Sequence, residues 1–263
     1  MLLRRGARVG AWLLFAVAIL LLCWLTFAGV RYVLLVRNAH FTVQRVDVNV
    51  YGQLSEAAVL EIVTRQGVET GKTNLFSIDL RKMRRQLAGS HVLIKQVVLS
   101  RLLPDTLRVD VYERDPVAQL LRRRGRMLDE AGTVLPPGAN QRMWNLPIVT
   151  GVANAGSAQE GDLLDDALLR TALKLIQLSA SESYARYLDV HFVQLDPSRN
   201  TLKLFLNEKR PFRAGAYILL PGTESDLIEA LRRVEVIAQE RYDGRQVTGS
   251  IDATYKINVP ILP

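Results

Sequence analysis

The stretch VVLSRLLPDTLRVDVYERDPVA, residues 97–118, decides the fold because it joins two apolar runs through a short turn. The runs are HVLIKQVVLSR, residues 91–101, and TLRVDVYERD, residues 106–115, and LLPD lies between them. In the second run apolar residues alternate with others: Leu107, Val109 and Val111 with Arg108, Asp110 and Tyr112. A period of two is typical of a strand with one buried face, so the stretch predicts a β-hairpin.

One strand and two helices are predicted before this hairpin. Valines alternate with polar residues in FTVQRVDVNVY, residues 41–51, which indicates a strand. Ser55 is the predicted N-cap of a first helix that ends near Gly67, and a second helix follows from about Asp79. The order strand, helix, helix, strand, strand predicts a small α+β domain, residues 41–115, with both helices on one face of a three-stranded sheet.

The heptad GVETGKT, residues 67–73, resembles a nucleotide-binding P-loop but has only three residues between Gly67 and Gly71. A P-loop needs four residues there, and it joins a strand to the helix whose N-terminus holds the phosphate. Here a predicted helix precedes the heptad. We therefore expect a turn between two helices and no nucleotide site.

An uncharged apolar stretch of 22 residues, from Val9 to Val30, predicts a membrane span. At about 1.5 Å per residue it is roughly 33 Å long, enough for a hydrocarbon core of about 30 Å. We expect a transmembrane helix over residues 9–36 after a cytoplasmic tail, residues 1–8, with everything beyond residue 40 outside the cytoplasm. A cleaved signal peptide is the alternative, although its apolar core of about 7–15 residues would be shorter.

The charge distribution argues against nucleic-acid binding. The net charge is +8, but five arginines and no acidic residue lie within residues 1–40. The rest of the chain therefore lacks the broad basic face that nucleic acid requires. Whether the run of arginines within residues 122–126 contacts anionic lipid is left open by the sequence.

No constellation of catalytic or metal-binding residues stands out. Cys23, the only cysteine, lies within the predicted span, and the three histidines are far apart: His40, His91 and His191. Three acidic residues could bind a cation or could favour a helix N-terminus, and we prefer the second interpretation: Asp162, Asp165 and Asp166. The sequence therefore predicts neither an enzyme nor a cofactor.

The second half predicts a further α+β domain, residues 116–259, with an antiparallel sheet and two helices. Its first strands are short, with a turn at residues 129–132. The helices begin at about Asp162 and at Thr223, and the remaining strands are predicted at 187–193, 201–206, 216–220 and 249–259. Residues 260–263 are predicted to be a C-terminal tail.

Four segments together resemble the polypeptide-transport-associated (POTRA) domain of the FtsQ/DivIB family of bacterial cell-division proteins. They are FTVQRVDVNVYG, the pattern S-x-x-x-V-L that begins at Ser55, GKTNLFSID and the hairpin stretch, of which residues 101–118 are the most specific part. One such domain directly after one span is the layout of that family, whereas outer-membrane assembly proteins carry several in series. WNLPIVTG, residues 144–151, is similar to a signature that follows the hairpin in the family.

The resemblance implies a non-enzymatic scaffold of the inner membrane, located at the division septum, that recruits bitopic division proteins of the FtsB/FtsL kind. Recruitment would occur by strand addition at the edge formed by the terminal strand, residues 249–259. The implied partner-binding residues are Ile251, Asp252, Thr254, Tyr255 and Arg199. Tyr255 matches the family's aromatic residue, whereas Thr254 replaces its usual arginine.

Two other interpretations of the same segments stay open. The terminal strand could close the sheet without a partner. A transport or outer-membrane biogenesis factor would instead bind extended polypeptides through the strand at 91–101, beside the helix at 79–88. The two binding hypotheses differ in the surface that is used, so a probe at Tyr255 and a probe at Lys95 distinguish them.

Overall fold

The computed structural model describes residues 17–27, 29–30, 32–120, 125–137, 146–255 and 259–262. The chain divides into an N-terminal unit that ends at Glu113 and a C-terminal unit that begins at Arg114. This boundary lies two residues before the one expected from the sequence.

The described part of the N-terminal segment is helical over residues 17–27 and 29–30. A π-helical turn, Tyr32–Val36, and a 3-10 turn, Ala39–Phe41, follow it. The predicted span over residues 9–36 begins outside the described residues. Among those that are described, no helix is both long enough and apolar enough to cross a membrane.

The N-terminal unit has the predicted element order. Its elements are β1 (Arg45–Tyr51), α1 (Glu56–Arg65), α2 (Leu80–Ala88), β2 (Ile94–Leu102) and β3 (Thr106–Glu113). In the sheet β3 is central, pairing in parallel with β1 and antiparallel with β2. Both helices contribute to the single buried cluster beneath this sheet: Val59, Val63, Met83 and Leu87 join Leu107, Val109 and Val111.

The ends of α1 and α2 show why the helices begin and end where they do. The Ser55 hydroxyl accepts a hydrogen bond from the Ala57 N–H (3.2 Å), and the Asp79 carboxylate accepts from two backbone N–H groups of α2. Gly67 and Gly71 both have positive φ, +91° and +79°, which glycine adopts without steric cost. The heptad GVETGKT is therefore confirmed as a turn between two helices.

The C-terminal unit is built on one nine-stranded sheet. Its strands are β4 (Pro116–Leu120), β5 (Met127–Asp129), β6 (Val134–Leu135), β7 (Ile148–Thr150), β8 (Val190–Asp196), β9 (Thr201–Leu206), β10 (Tyr217–Pro221), β11 (Ser250–Asp252) and β12 (Ile261–Leu262). Their order across the sheet is β12-β11-β10-β9-β8-β7-β4-β5-β6. The helices in the described part of the unit are α3 (Ala167–Ser179), α4 (Glu182–Ala185) and α5 (Glu224–Asp243). Apolar residues of α3 and α5 share one buried cluster with the sheet.

The prediction of an antiparallel sheet in this unit was wrong, because the sheet is mixed. The pairs β4–β7, β7–β8 and β10–β11 are parallel. Parallel neighbours need a long crossover, and α3 with α4 supplies one between β7 and β8 while α5 supplies another between β10 and β11. Among its described residues the unit also has one helix more than predicted, the short α4.

A helix and a strand in this unit begin later than predicted. The helix expected from Asp162 begins at Ala167, because the Asp166 carboxylate caps it by accepting from the N–H groups of Leu168 (2.8 Å) and Leu169 (3.2 Å). The strand expected at 187–193 begins at Val190.

The turn predicted at residues 129–132 is confirmed between β5 and β6. Gly132 has a φ of +87°. The buried Asp129 carboxylate accepts hydrogen bonds from the N–H groups of Ala131 (3.0 Å) and Thr133 (2.7 Å). The same carboxylate forms an ion pair of 2.6 Å with Arg114. This network ties the start of the C-terminal unit to the turn.

Candidate protein-interaction edge

The predicted terminal strand over residues 249–259 is shorter than expected and is not the edge of the sheet. Residues 256–258 of this range lie outside the described residues. Among the described ones the range forms only β11, which lies between β10 and β12. Ile251 is opposite Ile218 on one side and Ile261 on the other, and its side chain is fully buried. The strand ends at Asp252 because its carboxylate accepts from the Thr254 N–H (3.1 Å) and hydroxyl (2.6 Å), which turns the chain.

The outer strand is β12, which lies in the segment predicted to be a tail. The Asp252 N–H donates to the Pro260 carbonyl (3.1 Å), so the polar backbone atoms of Pro260 face β11. Successive residues of a strand direct these atoms to opposite sides, so the N–H and C=O of Ile261 face away from the sheet. No described strand pairs with this side of β12, and 40% of Ile261 is exposed.

The opposite edge of the sheet, β6, is covered by the chain itself. The Val134 N–H donates to the Asp162 carbonyl (2.9 Å), and the Gly161 N–H donates to the Val134 carbonyl (2.8 Å). Thr133 and Leu163 form a further bridge. Within the described part of the C-terminal unit, β12 is therefore the edge to which a strand can be added.

The turn after β11 brings three of the predicted site residues to one end of the sheet. Asp252 and Thr254 are half-buried and bonded to each other, whereas Tyr255 is 57% exposed. The Asp252 carboxylate is occupied within the turn. Of the predicted residues on this segment, Tyr255 is thus the one whose side chain is available for contact, and Ile251 is excluded by its burial.

Arg199 lies in the turn between β8 and β9, at the same end of the sheet. On β10, Leu219 is opposite Asp252 of β11. Pro221, two residues further along β10, is opposite Thr201 of β9. This register places the β8–β9 turn level with Thr254, two strands away. The Arg199 side chain is 80% exposed, and its Nε lies 4.0 Å from the Asp196 carboxylate.

The carboxylate beside Arg199 is itself held in the ionised form. A hydrogen bond from the Ser198 hydroxyl lowers the pKa of Asp196, and backbone N–H groups and the charge of Arg199 contribute in the same direction. The ion pair between Arg199 and Asp196 is long and exposed, so it binds the guanidinium only weakly and leaves it accessible to a partner.

Two residues that the sequence did not identify also shape this edge. Arg233 of α5 donates a hydrogen bond from Nη2 to the Ala253 carbonyl (3.2 Å), while the Ala253 N–H donates to the Leu219 carbonyl (2.9 Å). Helix α5 therefore helps to fix the turn after β11. Arg233 lies off the apolar stripe of its helix, so periodicity carried no signal for it. Ile261 was missed because β12 has only two residues.

A second surface lies in the N-terminal unit, between α2 and β2. It is an open cleft of about 470 Å³. Its lining comprises Leu80, Arg81, Arg84, Arg85, Ala88 and residues 95–99. Strand β2 is an edge of the three-stranded sheet, so this cleft is the place where the rival hypothesis would bind an extended polypeptide.

The acidic residues considered as a cation site each have a partner of their own. Asp162 accepts from the Gln159 N–H (2.7 Å), Asp165 pairs with Arg170 (2.7 Å), and Asp166 caps α3. Among the described residues, no group of three or more His, Cys, Asp or Glu side chains is placed to hold a metal ion. In the arginine run, residues 122–124 lie outside the described residues, and Arg126 donates to the Ala158 carbonyl.

Comparison with known proteins agrees with the fold of the N-terminal unit. Residues 41–114 match the model of the FtsQ-type POTRA domain. A cell division protein FtsQ of Geotalea daltonii is 27% identical over 129 residues, which are 49% of this chain and 45% of that protein. FtsQ of Myxococcus fulvus is 27% identical over 136 residues, covering 52% and 45% respectively. FtsQ of Novosphingobium aromaticivorans is 30% identical over 132 residues, covering 49% and 39%. Each match spans less than half of the relative's length.

Proposed function

We propose that this chain, an FtsQ-family protein, is a non-enzymatic scaffold of cell division that recruits other division proteins by strand addition. The observation that supports this most is the edge at β12, where the N–H and C=O of Ile261 face away from the sheet. A partner segment in extended conformation would pair with these groups and continue the sheet. The partners we propose are bitopic division proteins of the FtsB/FtsL kind.

Side chains around the edge would give the contact its selectivity. Tyr255 has an exposed aromatic ring that would contact the partner, and aromatic residues carry much of the binding energy at interfaces. Arg199, at the same end of the sheet, would attract an acidic residue of the partner. Thr254 is bonded to Asp252 and brings no charge, so the electrostatic part of the contact would rest on Arg199.

We propose that the chain is attached to the inner membrane by its N-terminal apolar segment, with the N-terminus in the cytoplasm and both units in the periplasm at the septum. Supporting this, the described helix at residues 17–27 exposes its large apolar side chains: Val17, Ile19, Leu20, Leu21, Leu22, Trp24, Leu25 and Phe27. A helix that is apolar on all sides needs a hydrocarbon environment.

A second candidate function is supported by the cleft between α2 and β2. A transport or outer-membrane biogenesis factor would add an extended polypeptide to the β2 edge, next to Lys95. The cleft is lined partly by arginines, which favours acidic segments over the apolar strands of membrane barrels. We therefore rank this function second.

Replacing Tyr255 by alanine is expected to weaken binding of the FtsB/FtsL-type partner about tenfold, because an exposed aromatic anchor is lost without any change to the core. Titration of the purified full chain with the partner's periplasmic segment measures the change. Tyr255→Phe is the matched control and should keep most of the affinity, since the ring remains. Unchanged affinity in the alanine variant would remove Tyr255 from the proposed site.

A further inference from the structure

The Asn74 side chain links the loop between α1 and α2 to the end of the N-terminal segment. Its amide nitrogen donates to the carbonyls of Leu35 and Asn38, each at 3.0 Å. Its amide oxygen accepts from the Phe76 N–H at 2.8 Å. Every polar atom of the amide thus has a partner, which fixes the orientation of the group. Because Leu35 lies in the last helical turn, Asn74 satisfies a carbonyl that the helix leaves unpaired.

Backbone hydrogen bonds continue this link along the loop. The Leu75 N–H donates to the Phe41 carbonyl (2.8 Å), and the Val43 N–H donates to the Thr73 carbonyl (2.9 Å). The rings of Phe41 and Phe76 pack edge to face with centroids 5.0 Å apart. The loop and the segment that leaves the helix therefore run side by side as one piece of structure.

The other side of the loop is fastened to the sheet by Arg101 of β2. Its Nε donates to the Leu75 carbonyl (2.8 Å) and its Nη2 to the Ile78 carbonyl (2.7 Å). The guanidinium also lies over the Phe76 ring, 5.6 Å from the centroid. Leu75 itself is fully buried in the core of the N-terminal unit. A continuous set of contacts thus joins the helix end to β2.

The residues at this junction have the character of a membrane–water interface. The preceding helix exposes apolar side chains around its circumference. Tyr32, Arg37 and His40 follow it and are exposed. Aromatic residues with a polar group, together with arginine, are enriched where a span leaves the hydrocarbon.

We propose that Asn74 clasps the N-terminal helix to the POTRA domain, so that the loop Thr73–Ser77 is the face of the domain that rests on the phospholipid headgroups. This inference depends on the proposed membrane attachment and does not depend on the partner site. The occupant of the surface is the bilayer, because the surface continues directly from an apolar helix. The heptad that resembles a P-loop ends at Thr73, the first residue of this loop, so the Thr-Asn-Leu-Phe segment that begins there would connect the helix to the domain.

The experiment measures how close a single fluorophore on the full chain lies to the membrane surface. The chain is reconstituted into vesicles of phosphatidylethanolamine and phosphatidylglycerol. The vesicles also contain a phosphatidylcholine with a nitroxide on its headgroup, which quenches a nearby fluorophore. Cysteine is placed at Ser77 or at Gln53, both exposed, on a Cys23→Ser background. Gln53 follows the far end of β1, which is about 20 Å long. We expect strong quenching at Ser77 and little at Gln53.

Asn74→Asp is the test variant because it keeps an acceptor for the Phe76 N–H but removes both donations to the helix end. We expect it to keep the circular dichroism of the wild type and to lose the quenching at Ser77. Three results would overturn the proposal: unchanged quenching at Ser77 in the variant, equal quenching at Gln53, or a chain that does not enter vesicles. No division partner is present, so failure of the partner site leaves this outcome unaffected.

Discussion

Replacing Ile261 by proline is expected to weaken partner binding about a hundredfold while leaving the chain folded. Proline removes the N–H that faces away from β11, and it leaves the carbonyl of an incoming strand without a donor. A lost backbone hydrogen bond of about 1 kcal/mol and a desolvated, unpaired carbonyl of about 1–3 kcal/mol together correspond to roughly that change in affinity. Proline is tolerated on an edge strand when its N–H side faces solvent, so the pairing with β11 should persist.

The matched control is Ile261→Val, which keeps the N–H and most of the apolar side chain. It should bind the partner almost as tightly as the wild type. Both variants should unfold at the same denaturant concentration as the wild type. If Ile261→Pro binds normally and is folded, then the partner does not add a strand to β12, and the contact rests on side chains such as Tyr255.

Replacing Asp129 by alanine is expected to lower the free energy of unfolding of the C-terminal unit by about 3–4 kcal/mol. The carboxylate is 3% exposed and pairs with Arg114, whose side chain is 25% exposed. It also accepts from the N–H groups of Ala131 and Thr133. The substitution leaves a partly buried guanidinium without its counter-charge and removes the acceptor for two buried or half-buried N–H groups. Equilibrium urea denaturation of the detergent-solubilised chain measures this loss.

Asp129→Asn distinguishes the contribution of the ion pair from that of the hydrogen bonds in the turn. The amide oxygen can still accept from the backbone of the turn, so this variant should lose the ion pair but keep the β5–β6 connection. We expect its loss of stability to be smaller than that of the alanine variant. A loss below 1 kcal/mol in Asp129→Ala would mean that Arg114 finds another partner and that the network is not a main support of the unit.

The N-terminal unit could be predicted almost completely from the sequence because each of its elements carries its own signal. Alternating valines mark β1, Ser55 and Asp79 supply caps, and a short turn joins β2 to β3. These are local rules, and the resemblance to a POTRA domain agrees with them. The prediction for β1 was four residues too long at its start, because Ala39–Phe41 forms a 3-10 turn.

The C-terminal unit was predicted less well because its topology depends on long-range pairing. Which strands lie in parallel is decided by helical crossovers and not by the pattern within a strand. Strand β12 has two residues and lies between Pro260 and Pro263, so no alternation reveals it. The sequence therefore assigned the wrong strand as the edge of the sheet, and the place of the partner site at this end of the chain stays a prediction.

Some of the candidate site residues could be predicted from the sequence, and others are shown only by the structure. Tyr255 stays a candidate because it is exposed in the turn after β11, and Arg199 stays one because the register brings its turn to the same end of the sheet. Arg233 and Asn74 act by donating to backbone carbonyls that are distant in sequence. Contacts of this kind leave no periodicity, so only the folded structure shows them.

The most direct test of the central claim is photocrosslinking in the dividing cell, with a photoreactive residue at Tyr255 in one strain and at Lys95 in another. Tyr255 lies at the end of the turn after β11, the strand that pairs with β12, and Lys95 lies in the cleft between α2 and β2. We expect a small coiled-coil bitopic division protein to be captured at Tyr255 and not at Lys95. Capture of outer-membrane precursors at Lys95, with no capture at Tyr255, would contradict strand addition at β12.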